Sequence, residues 1–599
     1  MKDLFYPNSL AIIGASDDRQ KVSTVILHNI LKSYYKGDLF LVNPNKRRIE
    51  GIPCFNKIQD LPTRIEVAII CLSKDKVLES LEELGKKVVK YAIIVSSEFR
   101  DINDFDNKEI DQIKEISKLY NIRVIGPNSF GIINTESNSY AYNGAYVIDN
   151  IISGKVSIIS QSSGIISSFL NQSFYSINKA ISLGNTTDIE VSEVLEYLIL
   201  DKMTEIIFIY IEDIKDNKKV AKLIQKSIKP IIVLQGYNND SNFRKVIFRE
   251  AGAIEVSTIT EAKNIIKLFS TKKNISKYGL SVVSNSGAIT KIISNKLQNE
   301  KYFIKTSLLQ SKTKEQLKRI LPYSDQTLNT VDLSDIVSID QSYLAIETIL
   351  SDKQVGSILL AITPSPAIEF KILLKELVFL VEKYSHKIIL PVFLGRVDMK
   401  LISQYLVKNK IAYYLDMDSA LSSIDFLYRY KYEINNTKLW STPTVYIKKS
   451  VIDEIKEKMI INKDEENYLT AKVLNDICNE FNLVLGLNKT IKEIDFYLNL
   501  SIISRDNLGK FLVINNLAFN LENNILATIP INKPNIQKIL RNIPNYDIIK
   551  DNYDIQSLIH IIFQLSLLAN SIKEIDVITT RIILEKKNAY INFIKILVK

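Results

Sequence analysis

Apolar runs rich in Ile, Val and Leu, with little alternation of polar positions, recur along most of the chain: LAIIGAS, DLFLVNP, VAIICLS, YAIIVSS and RVIGPN, then KVSIISQ, KAISLGN, EIIFIYIED and KPIIVLQG, then LSVVSNSG, SILLAITP and KIILPVFLG. Runs of this kind suit strands buried on both faces, and the helix-like spacers between them imply parallel βαβ units. The pattern predicts three α/β domains, with boundaries near Tyr140–Ile152, near Ser270–Lys277 and at about Tyr432. Beyond them the text changes. Residues 433–464 read as a linker with one helix. The last stretch, 465–599, mixes a helix at Leu469–Glu480, short strands around Phe511–Asn515, a helix at Ile555–Ala569 and a strand near Tyr590–Val598.

One unit of this pattern raises a question of chemistry. PIIVLQGYNNDSNFRKVIFREAGAIEV, from Pro230 to Val256, reads as a strand ending at Gly236, a polar loop and a helix closed by Ala251-Gly252. A loop leaving the carboxyl end of a parallel strand is where an open α/β sheet keeps its chemistry. This loop holds no His, no Cys and no carboxylate beyond Asp240.

Composition narrows the function classes. The net charge is +10, but Lys and Arg are interspersed with Asp and Glu. Dispersed charge is a solvated surface, which argues against nucleic acid as a partner. The three cysteines, Cys54, Cys71 and Cys478, have neither metal nor disulfide spacing and fit a reducing compartment. No apolar run approaches the ~18 residues needed to span a bilayer, so no membrane role is expected and the reading is cytoplasmic.

Two strand ends carry candidate chemistry. The first strand ends in Gly14, Ala15 and Ser16, with a helix from about Ser23. A small-residue turn there is either a plain tight turn or a place where backbone N–H groups approach a phosphate. The second strand ends in VNPNKRR, where Asn43 and Pro44 precede Lys46, Arg47 and Arg48. An NAD-binding site puts an acidic residue here for the ribose diol; a basic corner favours a phosphate-bearing adenosine.

In order along the chain, PNSLAIIGAS, KGDLFLVNPN, VAII and IGPNSFGIIN at Ile125–Asn134, then GKVSIISQSSG at Gly154–Gly164, ISLGNTTDIEVSEVLEYL at Ile181–Leu198 and EIIFIYIED ending at Asp213, resemble the ADP-forming acyl-CoA synthetases related to succinyl-CoA synthetase. SNSGA at Ser284–Ala288 and LNTVDL at Leu328–Leu333 resemble the family's third domain. The resemblance implies an α/β fold: a Rossmann-like CoA-binding domain at 1–140, flavodoxin-like ligase domains at 152–275 and 277–432, and a reduced ATP-grasp-like α+β region at 465–599. It also implies CoA-binding roles for Gly14, Ala15, Ser16, Asn43, Pro44, Lys46, Pro127 and Asn128, and phosphate-binding roles for Ser160, Gln161, Ser162, Ser163 and Gly164. Glu212 matches the family's glutamate that orients a phosphohistidine; read alone it is a strand-end carboxylate.

The resembled family works by a phosphoryl relay through a histidine on a glycine- and alanine-rich segment after the strand matched by KPIIVLQG. This chain passes from Gly236 through YNNDSNFRK into FREAGAIEV without that segment. The three histidines lie elsewhere: His28 on the first domain's first helix, His386 before a strand, and His560 in an apolar helix. Similarly, LTAKVLNDICNEFNLVL at Leu469–Leu485 is similar to the start of an ATP-grasp module, yet the nucleotide-binding lobe is too short. Eleven glycines precede or include Gly236 and seven follow it, and only Gly486 and Gly509 lie in the stretch 465–599, so a glycine-rich loop over a triphosphate is missing there. The family's Asp-x-Asn-Pro metal segment corresponds to Asp576-Val577-Ile578-Thr579, with isoleucine in place of the Mg²⁺-holding Asn. The expectation is therefore a CoA- or acyl-CoA-binding protein with lost or altered ligase catalysis, CoA as cofactor, and ATP/ADP and Mg²⁺ in doubt. The alternatives are an active acid–CoA ligase using a partner chain or another phosphoryl carrier, and a nucleotide-dependent oxidoreductase. A homo-oligomer or a partner subunit fits either ligase reading.

Overall fold

The computed structural model describes residues 1–599 except 63, 100–107, 145–152, 171–173, 239, 272–278, 300–301, 323–329, 335–337, 366–368, 437–448, 462, 465, 487–495, 507, 516–524 and 544–545. All three expected segment boundaries touch or lie beside these omissions, and much of the expected linker lies outside the described residues.

After a short helix α1 (Lys2–Phe5), the first sheet is built from β1 (Ser9–Ile13), α2 (Val22–Lys32), β2 (Asp38–Val42), β3 (Arg48–Ile49), β4 (Ile52–Phe55), β5 (Val67–Ile70), α3 (Lys74–Lys86), β6 (Tyr91–Ile94), α4 (Lys108–Tyr120) and β7 (Arg123–Ile125). Its order is β3-β4-β2-β1-β5-β6-β7. The strands from β4 to β7 are parallel, and only the small β3–β4 pair is antiparallel. The chain steps from β1 to β2 on one side and later to β5 on the other, so the topological switch lies between β1 and β5, where Gly14 and Cys71 end their strands.

β8 (Gly131–Asn134) and β9 (Ser139–Tyr142) follow, then β10 (Val156–Ser160), α5 (Ser163–Leu170), β11 (Ile177–Ser182), α6 (Val191–Leu200), β12 (Ile206–Ile211), α7 (Asn217–Lys226), β13 (Ile231–Gln235), α8 (Ser241–Glu250), β14 (Ile254–Val256) and α9 (Ile259–Phe269). The second sheet runs β14-β13-β12-β10-β11-β8-β9. Its five parallel strands are extended by an antiparallel hairpin, because Ile132 and Ile133 pair with Ile181 and Ala180. Most of that hairpin falls within the stretch 1–140 expected to be the first domain, yet it is hydrogen-bonded into the second sheet. The two sheets are also joined by charge: Arg123 pairs with Asp188 at 2.9 Å and with Glu193 at 3.0 Å.

The third sheet, β16-β15-β17-β18, repeats the same winding. It comprises β15 (Leu280–Ser284), α10 (Gly287–Asn299), α11 (Ser311–Ile320), β16 (Thr330–Asp332), α12 (Ile339–Ser351), β17 (Ser357–Ile362), α13 (Phe370–Lys383), β18 (Ile388–Phe393), α14 (Met399–Ile402) and α15 (Met417–Asn436). Every residue of β17 and β18 is buried, which is why these strands read as unbroken apolar text.

The remainder holds α16 (Lys449–Ile461), α17 (Ala471–Glu480), β19 (Phe496–Arg505), β20 (Gly509–Asn515), β21 (Ile525–Thr528), α18 (Lys533–Leu540), α19 (Tyr546–Asn552), α20 (Ile555–Ser571), β22 (Ile575–Leu584) and β23 (Ala589–Val598). Its sheet, β21-β20-β19-β22-β23, is antiparallel throughout. One face packs on α20, whose Leu558, Ile562 and Leu565 share a core with Ile502, Leu512 and Ile578.

The chain divides into two compact units: Met1–Ile214, Lys226–Gly236 and Ala253–Ile434 form one, and Lys215–Gln225, Tyr237–Gly252 and Asn435–Lys599 form the other. Helices α7 and α8 therefore group with the carboxyl-terminal sheet. The reason is visible on α8: the Phe243 ring packs at a tilt against Phe511 with centroids 4.9 Å apart, the Arg505 guanidinium lies 4.9 Å over the Phe243 ring, and the Glu250 carboxylate accepts from the Thr528 backbone N–H and hydroxyl.

Candidate functional site

At the first sheet's switch point Gly14 has φ +83°, and a Cβ there would lie 2.6 Å from Leu72 Cδ2 and 2.8 Å from the Cys71 carbonyl oxygen. Only glycine suits such a position. The backbone N–H groups of Gly14 and Ala15 both donate to the Val42 carbonyl, at 3.0 and 3.1 Å. These two donors, which the sequence offered to a phosphate, are thus engaged in closing the corner. The helix α2 also begins eight residues beyond Gly14, after a loop that Ser16 organises by accepting from Asp18 N at 3.1 Å. Asn43 donates to the Ala15 carbonyl at 2.7 Å and accepts from Asn45 N at 2.8 Å across Pro44. Lys46 pairs with Asp17 at 2.9 Å, holding that carboxyl below its ordinary value. The corner therefore joins the first two strand ends through side chains and presents exposed Lys46, Arg47 and Arg48 beside them.

Pro127 follows a cis peptide bond, and Asn128 has φ +62°. Their loop faces the second sheet. Asn185 N donates to the Pro127 carbonyl at 2.9 Å, Gly126 N donates to the Leu183 carbonyl at 3.2 Å, and the Ser129 hydroxyl donates to the Ser182 carbonyl at 2.6 Å. Gly184 leaves the room: a Cβ on it would strike the Pro127 oxygen. Pro127 and Asn128 thus sit where the ends of β7 and β11 meet.

In the second sheet β10 passes almost directly into α5. The Ser160 hydroxyl accepts from Ser162 N at 3.0 Å and donates to the Ser162 carbonyl at 2.7 Å, forming the tight turn that starts the helix at Ser163. The N–H groups of a helix's first turn have no intrahelical acceptor and carry the positive end of its dipole. Ser163 and Gly164 are exposed. Gln161 binds the neighbouring loops, through Thr186 and the main chain of Glu212 and Asp213. Glu212, exposed at the end of β12, shares a hydrogen bond with the Tyr210 phenol, whose pKa burial and then Glu212 push up to about 12. Tyr210 packs against the core that includes Ile166 and Phe169 of α5, so the phenol and its carboxylate lie on the α5 face of the sheet. Gly236 completes the group: a Cβ there would come within 3.2 Å of the Tyr210 oxygen and 3.4 Å of Glu212 Cγ.

Ser160–Gly164 and Glu212 are therefore brought to adjacent strand ends, whereas Gly14–Ser16 and Asn43–Lys46 form a separate corner. Thr186, Tyr210 and Gly236 carry no role in the sequence reading. Their signal was positional, each being a polar or glycine residue at or just beyond the carboxyl end of an apolar strand. The histidines remain apart from these strand ends in sequence and in element: His28 on α2 lies 3.1 Å from Glu50, His386 is exposed just before β18, and His560 lies on α20 with its pKa lowered by burial. In the carboxyl-terminal sheet Ile578 is fully buried in the core, while Asp576 faces Lys599 at 3.8 Å. No helix among the described residues is long and apolar enough to cross a membrane.

Residues 8–135 match a CoA binding domain and residues 153–246 a succinyl-CoA ligase like flavodoxin domain. The chain is 30% identical over 454 residues to an acetate–CoA ligase [ADP-forming] of Methanocaldococcus jannaschii, an alignment covering 72% of this chain and 63% of that protein. It is 29% identical over 390 residues to the acetate–CoA ligase [ADP-forming] II subunit alpha of Pyrococcus furiosus, covering 61% of this chain and 83% of that subunit. Its fold matches the Ca. Korarchaeum cryptofilum dinucleotide forming acetyl-coenzyme A synthetase 1 in its apo form with a TM-score of 0.67 at 22% identity, over 74% of this chain and all of that one.

Proposed function

Because the chain belongs to the ADP-forming acyl-CoA synthetase family, we propose that it binds CoA or acyl-CoA through its first domain, holds an oxyanion at the strand ends of its second sheet, and has lost or altered the ligase reaction. The observation that carries the last clause is the connection after β13: Gly236 is separated from α8 by only the residues 237–240, and none of them is a histidine. A relay at neutral pH needs an imidazole that can form a labile phosphoramidate and then release it.

CoA fits the first corner by its chemistry. Its phosphates suit the exposed Lys46–Arg48 run, and Gly14 keeps the switch point clear of side chain. In the second sheet the first-turn N–H groups of α5 and the hydroxyls of Ser162 and Ser163 are the donors for an oxyanion, and Glu212 is the group that would orient a partner beside it. Mg-ATP is assigned no site in the carboxyl-terminal unit, where the side chain at the Ile578 position is closed into the core.

Calorimetric titration of the full chain with CoA, acetyl-CoA, ADP and Mg-ATP tests the first clause: CoA is expected to bind and Mg-ATP is not. Incubation with labelled acetyl phosphate or Mg-ATP tests the last clause. Acid-labile, base-stable label on His28, His386 or His560, together with acetyl-CoA synthesis that stops when that histidine is replaced, would restore the ligase. A second reading is favoured by the relative named as a subunit alpha, which points to a separate chain that completes the enzyme. Acetyl-CoA formation only in the presence of a co-purifying chain would select it.

A further inference from the structure

Gln161 lies just beyond β10 in a run of small polar residues, and its sequence position alone groups it with oxyanion ligands. Its side chain is already fully committed. Nε2 donates to Thr186 Oγ1 at 3.0 Å and to the Asp213 carbonyl at 2.8 Å, while Oε1 accepts from Glu212 N at 2.6 Å and from Asp213 N at 3.1 Å. A carboxamide offers two N–H donors and two acceptor lone pairs, and all four are in use. An incoming oxyanion would have to break one of these bonds to reach it.

The four bonds connect three strand ends. Thr186 belongs to the loop after β11, and its neighbours Leu183 and Asn185 hold the Gly126–Pro127 turn of the first sheet. Glu212 and Asp213 follow β12. We infer that Gln161 is a positioning residue and not a ligand: it fixes the main chain bearing Glu212 against the loop that carries the first sheet's Pro127 turn. The N–H groups of Glu212 and Asp213, the first two residues beyond β12, both donate to the Gln161 oxygen, so removing it takes away bonds that fix the direction of that segment. This assignment rests on reading the second sheet's strand ends as the oxyanion site, and its test separates the two.

Amide hydrogen exchange on the full-length chain reads the clamp with no ligand present. In Gln161→Ala the Glu212 and Asp213 amides should exchange at least tenfold faster than in the unaltered chain. Thr186→Val, which touches neither amide, should speed the same two by a smaller factor. The double variant should exchange no faster than Gln161→Ala alone, because both changes release one clamp. Titration with inorganic phosphate is the second readout, and Gln161→Ala should bind it at least threefold more weakly. Unchanged exchange at Glu212 and Asp213 in Gln161→Ala overturns the clamp, and a loss of phosphate affinity without that change makes Gln161 a direct ligand. If the unaltered chain binds no phosphate, the oxyanion reading fails while the exchange result still decides the clamp. Should Gln161→Ala fail to fold, Thr186→Val decides alone, and unaltered exchange of the two amides in it overturns the assignment.

Discussion

Two turns that look alike in sequence, Gly14–Ser16 and Ser160–Gly164, are built in different ways. Each lies at the carboxyl end of the first parallel strand of a doubly wound sheet, and each is rich in small residues. In the first, Gly14 N and Ala15 N are bonded to Val42 and the helix starts only at Val22, so the turn offers space but not its own leading donors. In the second, the helix starts at Ser163 and the first-turn donors lie at the strand end itself. The difference teaches that small residues at a strand end have two separable uses, close approach of neighbouring backbone and capture of an anion, and that helix onset distinguishes them.

The strongest way to break this comparison is to fill the first turn. Gly14→Val places a β-branched side chain at φ +83°, with its Cβ 2.6 Å from Leu72 Cδ2 and 2.8 Å from the Cys71 carbonyl. The backbone conformation alone costs roughly 1–3 kcal/mol, before the clash is added. The variant should melt several degrees lower, and CoA affinity measured on the fraction that remains folded should fall at least tenfold. CoA binding unchanged in a folded Gly14→Val chain would remove the corner from the site.

How much of this was legible follows the range of the forces. Strands such as Val67–Ile70 and Ser357–Ile362 announce themselves because both faces are buried and every position is apolar or small. The three largely parallel sheets follow from that text, whereas the antiparallel pairing of the carboxyl-terminal sheet does not. What the sequence hid was the choice of partner. The strand Gly131–Asn134 reads as belonging to the first domain, but it pairs with β11, nearly fifty residues on. Gly14 and Ala15 looked like free donors because their acceptor, Val42, is remote in sequence. Gln161 looked like a ligand for the same reason, its four partners lying on two other loops. Helix α8 reads as part of the second domain, whereas its Phe243 and Glu250 meet β20 and β21.

A smaller effect sharpens the second turn. Tyr210 is a phenol whose folded pKa stands near 12, above its ordinary value, because burial and the adjacent Glu212 disfavour the phenolate. A group that holds its proton more tightly when folded contributes stability that is complete below its unfolded pKa of ~10 and is lost as pH rises towards the folded value. Urea midpoints of the unaltered chain should therefore fall between pH 10 and 12, and Tyr210→Phe should make that fall shallower while leaving the pH 8 midpoint lower by the loss of one hydrogen bond. An identical alkaline slope in the two proteins would show that the fold, by burial or by Glu212, does not raise the Tyr210 pKa.

The smallest effect belongs to Gly164, and it separates the two uses of a small residue. Unlike Gly14, it is exposed and a Cβ on it would meet nothing closer than Ser162 Oγ at 3.9 Å. Gly164 occupies the second position of α5, where alanine is the better helix former, so Gly164→Ala should stabilise the chain by about 0.5 kcal/mol. Alanine keeps the N–H group, so phosphate affinity should stay within about twofold. Proline removes that N–H at a position in the first helical turn where its ring is accommodated. If the first-turn donors hold the oxyanion, Gly164→Pro should weaken phosphate binding by roughly tenfold, the equivalent of one charge-assisted hydrogen bond, with little change in unfolding midpoint. Equal phosphate affinity in the Ala and Pro variants would mean that the Gly164 N–H takes no part in holding the oxyanion.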